Sequence, residues 1–215
     1  MLKNTIKLFY NDIPITDIVD DYPDIIISNN SCFDEVKKYK DGCIHNFANN
    51  DLQGGPCCKF TYDGNFISQS KSSNTQEDQL VRIYKDNIIL PKNMYPICTL
   101  NNEALLYSTC GLLHPVITLP SIVQPNLKNK NVRTSLVKRL ILIMYVCKFH
   151  TLITGLWGCG AFGMNPCDLV EIWREALKKS KHRPKKIVFC IIIDEYSKCW
   201  KDKNIVKEFE KLINI

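Results

Sequence analysis

Thr151-Leu152-Ile153-Thr154-Gly155-Leu156-Trp157-Gly158-Cys159-Gly160-Ala161-Phe162-Gly163, followed after Met164 by Asn165-Pro166, decides the fold. It runs from a β-branched strand through a turn rich in glycine into helical spacing over 166–179, with Pro166 suited to a first helical position. Ligands of open α/β folds bind at such strand-to-helix turns, beyond the carboxyl ends of the strands. Glycines there let backbone N–H groups approach an anion, and the helix dipole adds attraction. The bland alternative is a tight turn that needs positive φ. Three glycines in six residues with an aromatic among them, Gly158 to Gly163, favour the anion. The spacing differs from the Rossmann fingerprint, and no Gly-Lys-Ser/Thr follows as in a Walker loop.

Working outward, strands and helices alternate over nearly the whole chain. Strands are expected at 5–10, 24–28, 43–48, 105–108, 116–119 and 186–194, the last almost wholly apolar as in a strand buried on both faces. Helices are expected at 31–40, 75–90 with Thr75 as cap, 132–149, and 205–212. Between 49 and 74 the periodicity fails, and this stretch reads as a long loop. The pattern predicts one α/β domain, with a mostly parallel sheet between helical layers.

Composition narrows the function classes. The chain has 215 residues, 45% hydrophobic and 23% charged, which is ordinary for a globular domain with a real core. A net charge of +6 suits anionic partners in general and is too mild to indicate nucleic acid, although such a contact stays possible. The densest basic run, Lys178 to Lys186, reads as a solvated helix end and turn. The eleven cysteines are odd in number and several sit in apolar runs, which predicts buried free thiols in a reducing, intracellular compartment, cytoplasmic or nuclear. With no C-x-x-C pair, no zinc site is expected, and no other metal or cofactor is called for. Neither a secretory leader nor a membrane span is expected. The lean towards Ile, Asn and Lys is what an AT-rich coding genome, such as that of a large DNA virus or a protist, produces.

A second loop complements the first. Asn46-Phe47-Ala48-Asn49 runs from a strand end towards Gln53-Gly54-Gly55-Pro56. Asn46 there can either cap backbone groups or hydrogen-bond sugar hydroxyls. Cys57-Cys58 has no histidine neighbour in sequence to activate it. His45 and His114 read as structural residues. Trp157 and Trp173 read as core or cleft wall, and Trp200 as packing for the last helix.

Leu156 to Gly163 with Asn165-Pro166 resembles the diphosphate loop of the macro domain, most closely its bacterial-type poly(ADP-ribose) glycohydrolase branch. His45 to Asn49 with Gly54-Gly55, and Gln76-Glu77-Asp78, resemble that branch's glycine-loop strand and its Gln-Glu-Glu motif. The likeness is clearest over 25–194 and implies a three-layer α/β/α macro-like domain with a mixed sheet over 1–215. It implies ADP-ribose, free or on an ADP-ribosylated protein, as ligand. Backbone N–H groups of Gly158, Cys159, Gly160, Ala161, Phe162 and Gly163 would hold the diphosphate, and Phe162 would pack on the distal ribose. Asn49 and Gly54-Gly55 would contact that ribose from the other side. Glu77 and Asp78 would fill the acidic positions, with Gln76 before them and the second acid protonating the leaving group.

This chain departs from the pattern in two places. Asp78 stands where the family has Glu, and a long insertion separates Gly54-Gly55 from Gln76, so that Gly64 is an equal candidate for the glycine loop. Simple helix capping is the alternative role for Glu77 and Asp78, because acids suit a first turn. Three functions follow: an ADP-ribosyl glycohydrolase, an ADP-ribose reader or sponge with little catalysis, and a protein-interaction scaffold.

Overall fold

A computed structural model describes residues 5–48, 58–60, 66–69, 76–84, 99–100, 102–109, 114–192 and 204–213. The elements in chain order are β1 (Thr5–Phe9), β2 (Asp24–Ser28), α1 (Cys32–Val36), β3 (Gly42–Asn46), β4 (Cys58–Phe60), β5 (Phe66–Gln69), α2 (Gln76–Tyr84), β6 (Ala104–Ser108), β7 (Val116–Thr118), α3 (Lys130–Val146), β8 (Thr151–Gly155), α4 (Pro166–Lys179), β9 (Lys186–Cys190) and α5 (Asn204–Glu210).

Seven strands form one mixed sheet in the order β1-β6-β7-β3-β8-β9-β2. From β7 to β2 every pairing is parallel, and β6 joins antiparallel to both β1 and β7. The central strands β3 and β8 are buried at every position, as expected for strands covered on both faces.

The two-residue strand period sorts their side chains between two cores. Cys43, Leu152, Ile187 and Phe189 pack under α3, α4 and α5, while Ile44, Ile153, Val188 and Cys190 pack under α1 and Leu80 of α2. Helices on both faces of a largely parallel sheet make the α/β/α sandwich. In the larger core Trp173 of α4 meets Phe189 edge-on at 5.2 Å, and Phe189 meets Phe209 of α5 at 4.9 Å. Aromatic pairs in this range add to the burial of their large apolar surfaces.

Local chemistry sets the element ends. Asn165 caps α4 by accepting from Cys167 N at 2.9 Å, with Pro166 at the first helical position. Asn129 caps α3 by accepting from Asn131 N, so that helix begins at Lys130 and ends at Val146 rather than spanning 132–149. The stretch expected to be a loop over 49–74 carries the antiparallel pair β4–β5, with Lys59 opposite Ser68. Its few β-formers are enough for a hairpin, because cross-strand pairing rather than periodicity satisfies the backbone. Residues 49–57, Gly64, Thr75, 85–98 and Trp200 lie outside the described residues.

The basic run also differs from expectation. Arg183 is buried, donating to Leu177 O and Asp20 O, while Lys178 and Lys179 are exposed. Five of the six cysteines with described side chains are buried thiols, and Cys167 is exposed. Among the described residues, no helix is long and apolar enough to cross a membrane.

Candidate functional site

The carboxyl ends of β7, β3, β8 and β9 lie along one edge of the sheet, at Thr118, Asn46, Gly155 and Cys190. Two long connections rise there side by side, one from β8 to α4 through the glycines and one from β7 to α3 over 119–129. Leu119 O joins them: Trp157 Nε1 donates to it at 3.0 Å, and His45 Nε2 lies 3.4 Å away. Gln124 N donates to Phe162 O at 2.7 Å, and Gln124 adopts a φ of 43°, uncommon for a residue other than glycine.

The glycine loop folds on itself in a way that sorts its donors. Cys159 N donates to Leu156 O, Gly163 N to Gly160 O and Met164 N to Gly158 O, all at 3.0 Å. The N–H groups of Gly158, Gly160, Ala161 and Phe162 have no acceptor among the described residues. The N–H groups of Cys159 and Gly163 are thus taken up inside the loop, and four of the six expected from the sequence as donors are left without an acceptor among the described residues. The Cys159 side chain is buried, which pushes its thiol well up, so it contributes packing rather than a nucleophile.

The loop's glycines differ in why they are glycine. Gly158 has φ 79° and a Cβ there would collide with Ser121 Oγ, so fold geometry alone demands it. A Cβ on Gly160 would meet nothing within 4 Å. Packing does not require a glycine at 160; an open, side-chain-free backbone there suits the close approach of a ligand.

On the β3 side, Gln76 holds the strand end to the first turn of α2. Its Nε2 donates to His45 O at 2.6 Å and its Oε1 accepts from Phe47 N at 2.9 Å. The Phe47 ring in turn lies 3.4 Å from the position of a Cβ on Gly155, where the glycine loop begins. The acidic turn and the glycine loop are thus joined through Gln76 and Phe47. Glu77 on that turn is buried, and α2 includes Asp78, whose side chain lies outside the described residues. Asn49, Gly54, Gly55 and Cys57 also lie outside them. Asn46 is buried with Nδ2 donating to Thr118 Oγ1 at 3.3 Å, and its Oδ1 has no partner among the described residues.

His45 is a structural group. Burial holds its pKa down at about 3, against a smaller opposing effect of Leu119 O. A carbonyl only accepts, so Nε2 carries the proton towards Leu119 and Nδ1 accepts from Thr154 Oγ1 at 3.0 Å. Its ring packs on Phe47 at 5.0 Å and Trp157 at 5.6 Å. The connection over 119–124 was missed in sequence, where it carries no glycine and no charged group. Pro120 before the helical spacing was its only signal.

No family model and no curated protein matches the chain. Solved structures do. A T267R mutant of the poly(ADP-ribose) glycohydrolase of Deinococcus radiodurans, in complex with ADP-ribose, superposes with a TM-score of 0.68 at 17% identity, covering 99% of this chain and 96% of that one. The poly(ADP-ribose) glycohydrolase of Thermomonospora curvata superposes at 0.63 and 13% identity, covering 98% and 86%. At these identities the likeness shows a shared fold.

Proposed function

We propose that residues 1–215 form one macro-type domain that binds ADP-ribose by its diphosphate and hydrolyses the glycosidic bond joining ADP-ribose to protein or a related conjugate. The observation that carries this reading is the donor face of the glycine loop. Four N–H groups without an acceptor among the described residues belong to the loop at the sheet's carboxyl edge, and the space a Cβ of residue 160 would enter is open. The neighbour of the same fold crystallised with ADP-ribose adds support.

In this reading Gly158, Gly160, Ala161 and Phe162 donate to the diphosphate, and the half-buried Phe162 ring packs on the distal ribose. Asn49 and either Gly54-Gly55 or Gly64 close the other side, with Asn46 behind them. Cleavage at the anomeric carbon needs a proton on the leaving oxygen and relief of oxocarbenium charge. Asp78 supplies the proton as the carbon–oxygen bond breaks, and Glu77 faces the positive charge. Water then adds to the carbon and returns its proton to the Asp78 carboxylate.

Asp78 favours a second reading. It is one methylene shorter than the Glu expected from the resemblance, and a misplacement of about 1 Å can cost on the order of a hundredfold in rate. A reader that binds without turnover is the result. Incubation with an ADP-ribosylated protein, scoring released ADP-ribose, separates the two. Release that is lost in Asp78→Ala and Glu77→Ala, with ADP-ribose binding retained, supports the hydrolase; binding with no release supports the reader.

A further inference from the structure

Charge is unevenly spread along the chain. Between Lys7 and Lys37 the sequence holds seven acids and no Lys or Arg, in a protein of net charge +6. Five of the seven, Asp12, Asp17, Asp20, Asp21 and Asp24, fall between the end of β1 and the start of β2, which are opposite edges of the sheet. The connecting strap crosses the helical layer, packing Tyr10 and Ile13 on the larger core. It then passes Lys181 and Arg183 beyond the C-terminal end of α4, about 20 Å along that helix from the glycine loop.

The strap is pinned through its main chain. Asp20 N donates to Lys181 O at 2.8 Å, Arg183 N donates to Asp20 Oδ2 at 2.9 Å, and the Arg183 guanidinium donates to Asp20 O. Lys181 Nζ donates to Thr16 O. Its large apolar side chains nevertheless face outward. Ile15 is fully exposed, and Ile18, Val19 and Tyr22 are 76%, 55% and 48% exposed. A cavity of about 370 Å³ has Ile13, Pro14, Ile15 and Ile141 among its walls, with Lys179 and Lys181 also lining it. Both lysines already have carboxylates, Glu175 at 2.6 Å and Asp17 at 3.9 Å. Asp21 and Asp24 are exposed, with no ion-pair partner among the described residues.

We infer that the strap over 12–24 is a docking surface for a protein segment that carries lysines or arginines among aliphatic side chains. Single exposed apolar residues are ordinary, but Ile15, Ile18 and Val19 lie within five residues of an ordered segment, beside a cavity with apolar walls. These three and the cavity take the aliphatic groups, while Asp17, Asp21 and Asp24 meet the cations. Charge selects the occupant: the same carboxylates repel a nucleic acid or an anionic membrane, and two copies of this face repel each other. Because the backbone is already held, docking orders little more than side chains. The surface is separate from the cleft, so the inference holds whatever ligand the cleft takes.

The test titrates the full chain into a fluorescein-labelled amphipathic peptide of leucine and lysine, read by anisotropy. A leucine–glutamate peptide of the same pattern is the control. Expected is saturable binding of the lysine peptide, weakened by added salt, and none of the glutamate peptide. Ile15→Ser with Ile18→Ser should weaken binding about tenfold or more, and Asp17→Lys with Asp21→Lys should do the same. Both double variants should melt with the parent, because all four side chains are exposed. No binding, equal binding of the glutamate peptide, or affinity unchanged in either double variant would overturn the inference. So would sedimentation in which the parent self-associates and the Ile15→Ser, Ile18→Ser variant does not, which would give this face to a second copy of the chain.

Discussion

Gln76 Oε1 accepts the backbone N–H of Phe47 at 2.9 Å, while its Nε2 reaches back to His45 O at 2.6 Å. One side chain thereby continues the hydrogen bonding of β3 past its last residue and fixes where α2 begins relative to the sheet edge. The Phe47 ring, held in place by this, covers Gly155 at the foot of the glycine loop.

Gln76→Ala removes both bonds and leaves a backbone donor and acceptor unsatisfied where water enters poorly. The expected loss is about 1–3 kcal/mol, read by urea unfolding. Gln76→Glu keeps the acceptor for Phe47 N but places a second oxygen against His45 O, so it should destabilise as well.

Gly158→Ala meets two penalties, a left-handed φ of 79° and a collision with Ser121. Together these should lower stability by about 2–4 kcal/mol. Ser121→Gly, which removes both colliding atoms, should recover the steric share but not the backbone share. A double-mutant cycle in thermal melts would show this as a coupling between the two positions.

Stability should fall with pH before the carboxylates titrate. His45 stays neutral in the fold to about pH 3, whereas an unfolded histidine takes a proton near its model value of 6.5. The unfolded chain then binds more protons, so folding weakens as pH drops below 6.5, by about 1.4 kcal/mol per pH unit at full slope. Denaturant curves at pH 7.5, 6.0 and 5.0 should show this slope in the native chain, and a reduced one in His45→Gln.

Phe189→Ala opens the larger core between Trp173 and Phe209. A loss of about 3–5 kcal/mol is expected, with the Trp173 fluorescence change on unfolding shifted to lower denaturant.

Much of this was legible in sequence, for reasons that differ by element. β8 and β9 stand out because burial on both faces leaves unbroken apolar runs such as Ile187-Val188-Phe189. The loop over 158–163 stands out because glycine is the only residue suited to φ 79° beside Ser121. Contacts between distant segments were not legible. Nothing in the Lys178–Lys186 run distinguishes Arg183, whose burial comes from carbonyls of Leu177 and Asp20. Gln124 hides its role because its main chain, not its side chain, holds Phe162. The β4–β5 pair is short and crosses a polar stretch, so neither strand has a period long enough to read.

If the loop over 158–163 holds the diphosphate of ADP-ribose as proposed, a negative charge at Gly160 should abolish binding. A Cβ there meets no protein atom within 4 Å beyond its chain neighbours, and the loop is exposed at this point, so Gly160→Glu should keep the melting temperature of the parent. Calorimetric titration with ADP-ribose should give saturable heat in the parent and none in Gly160→Glu. No binding by the parent, or undiminished binding by the variant, would mean that this loop is not an ADP-ribose site.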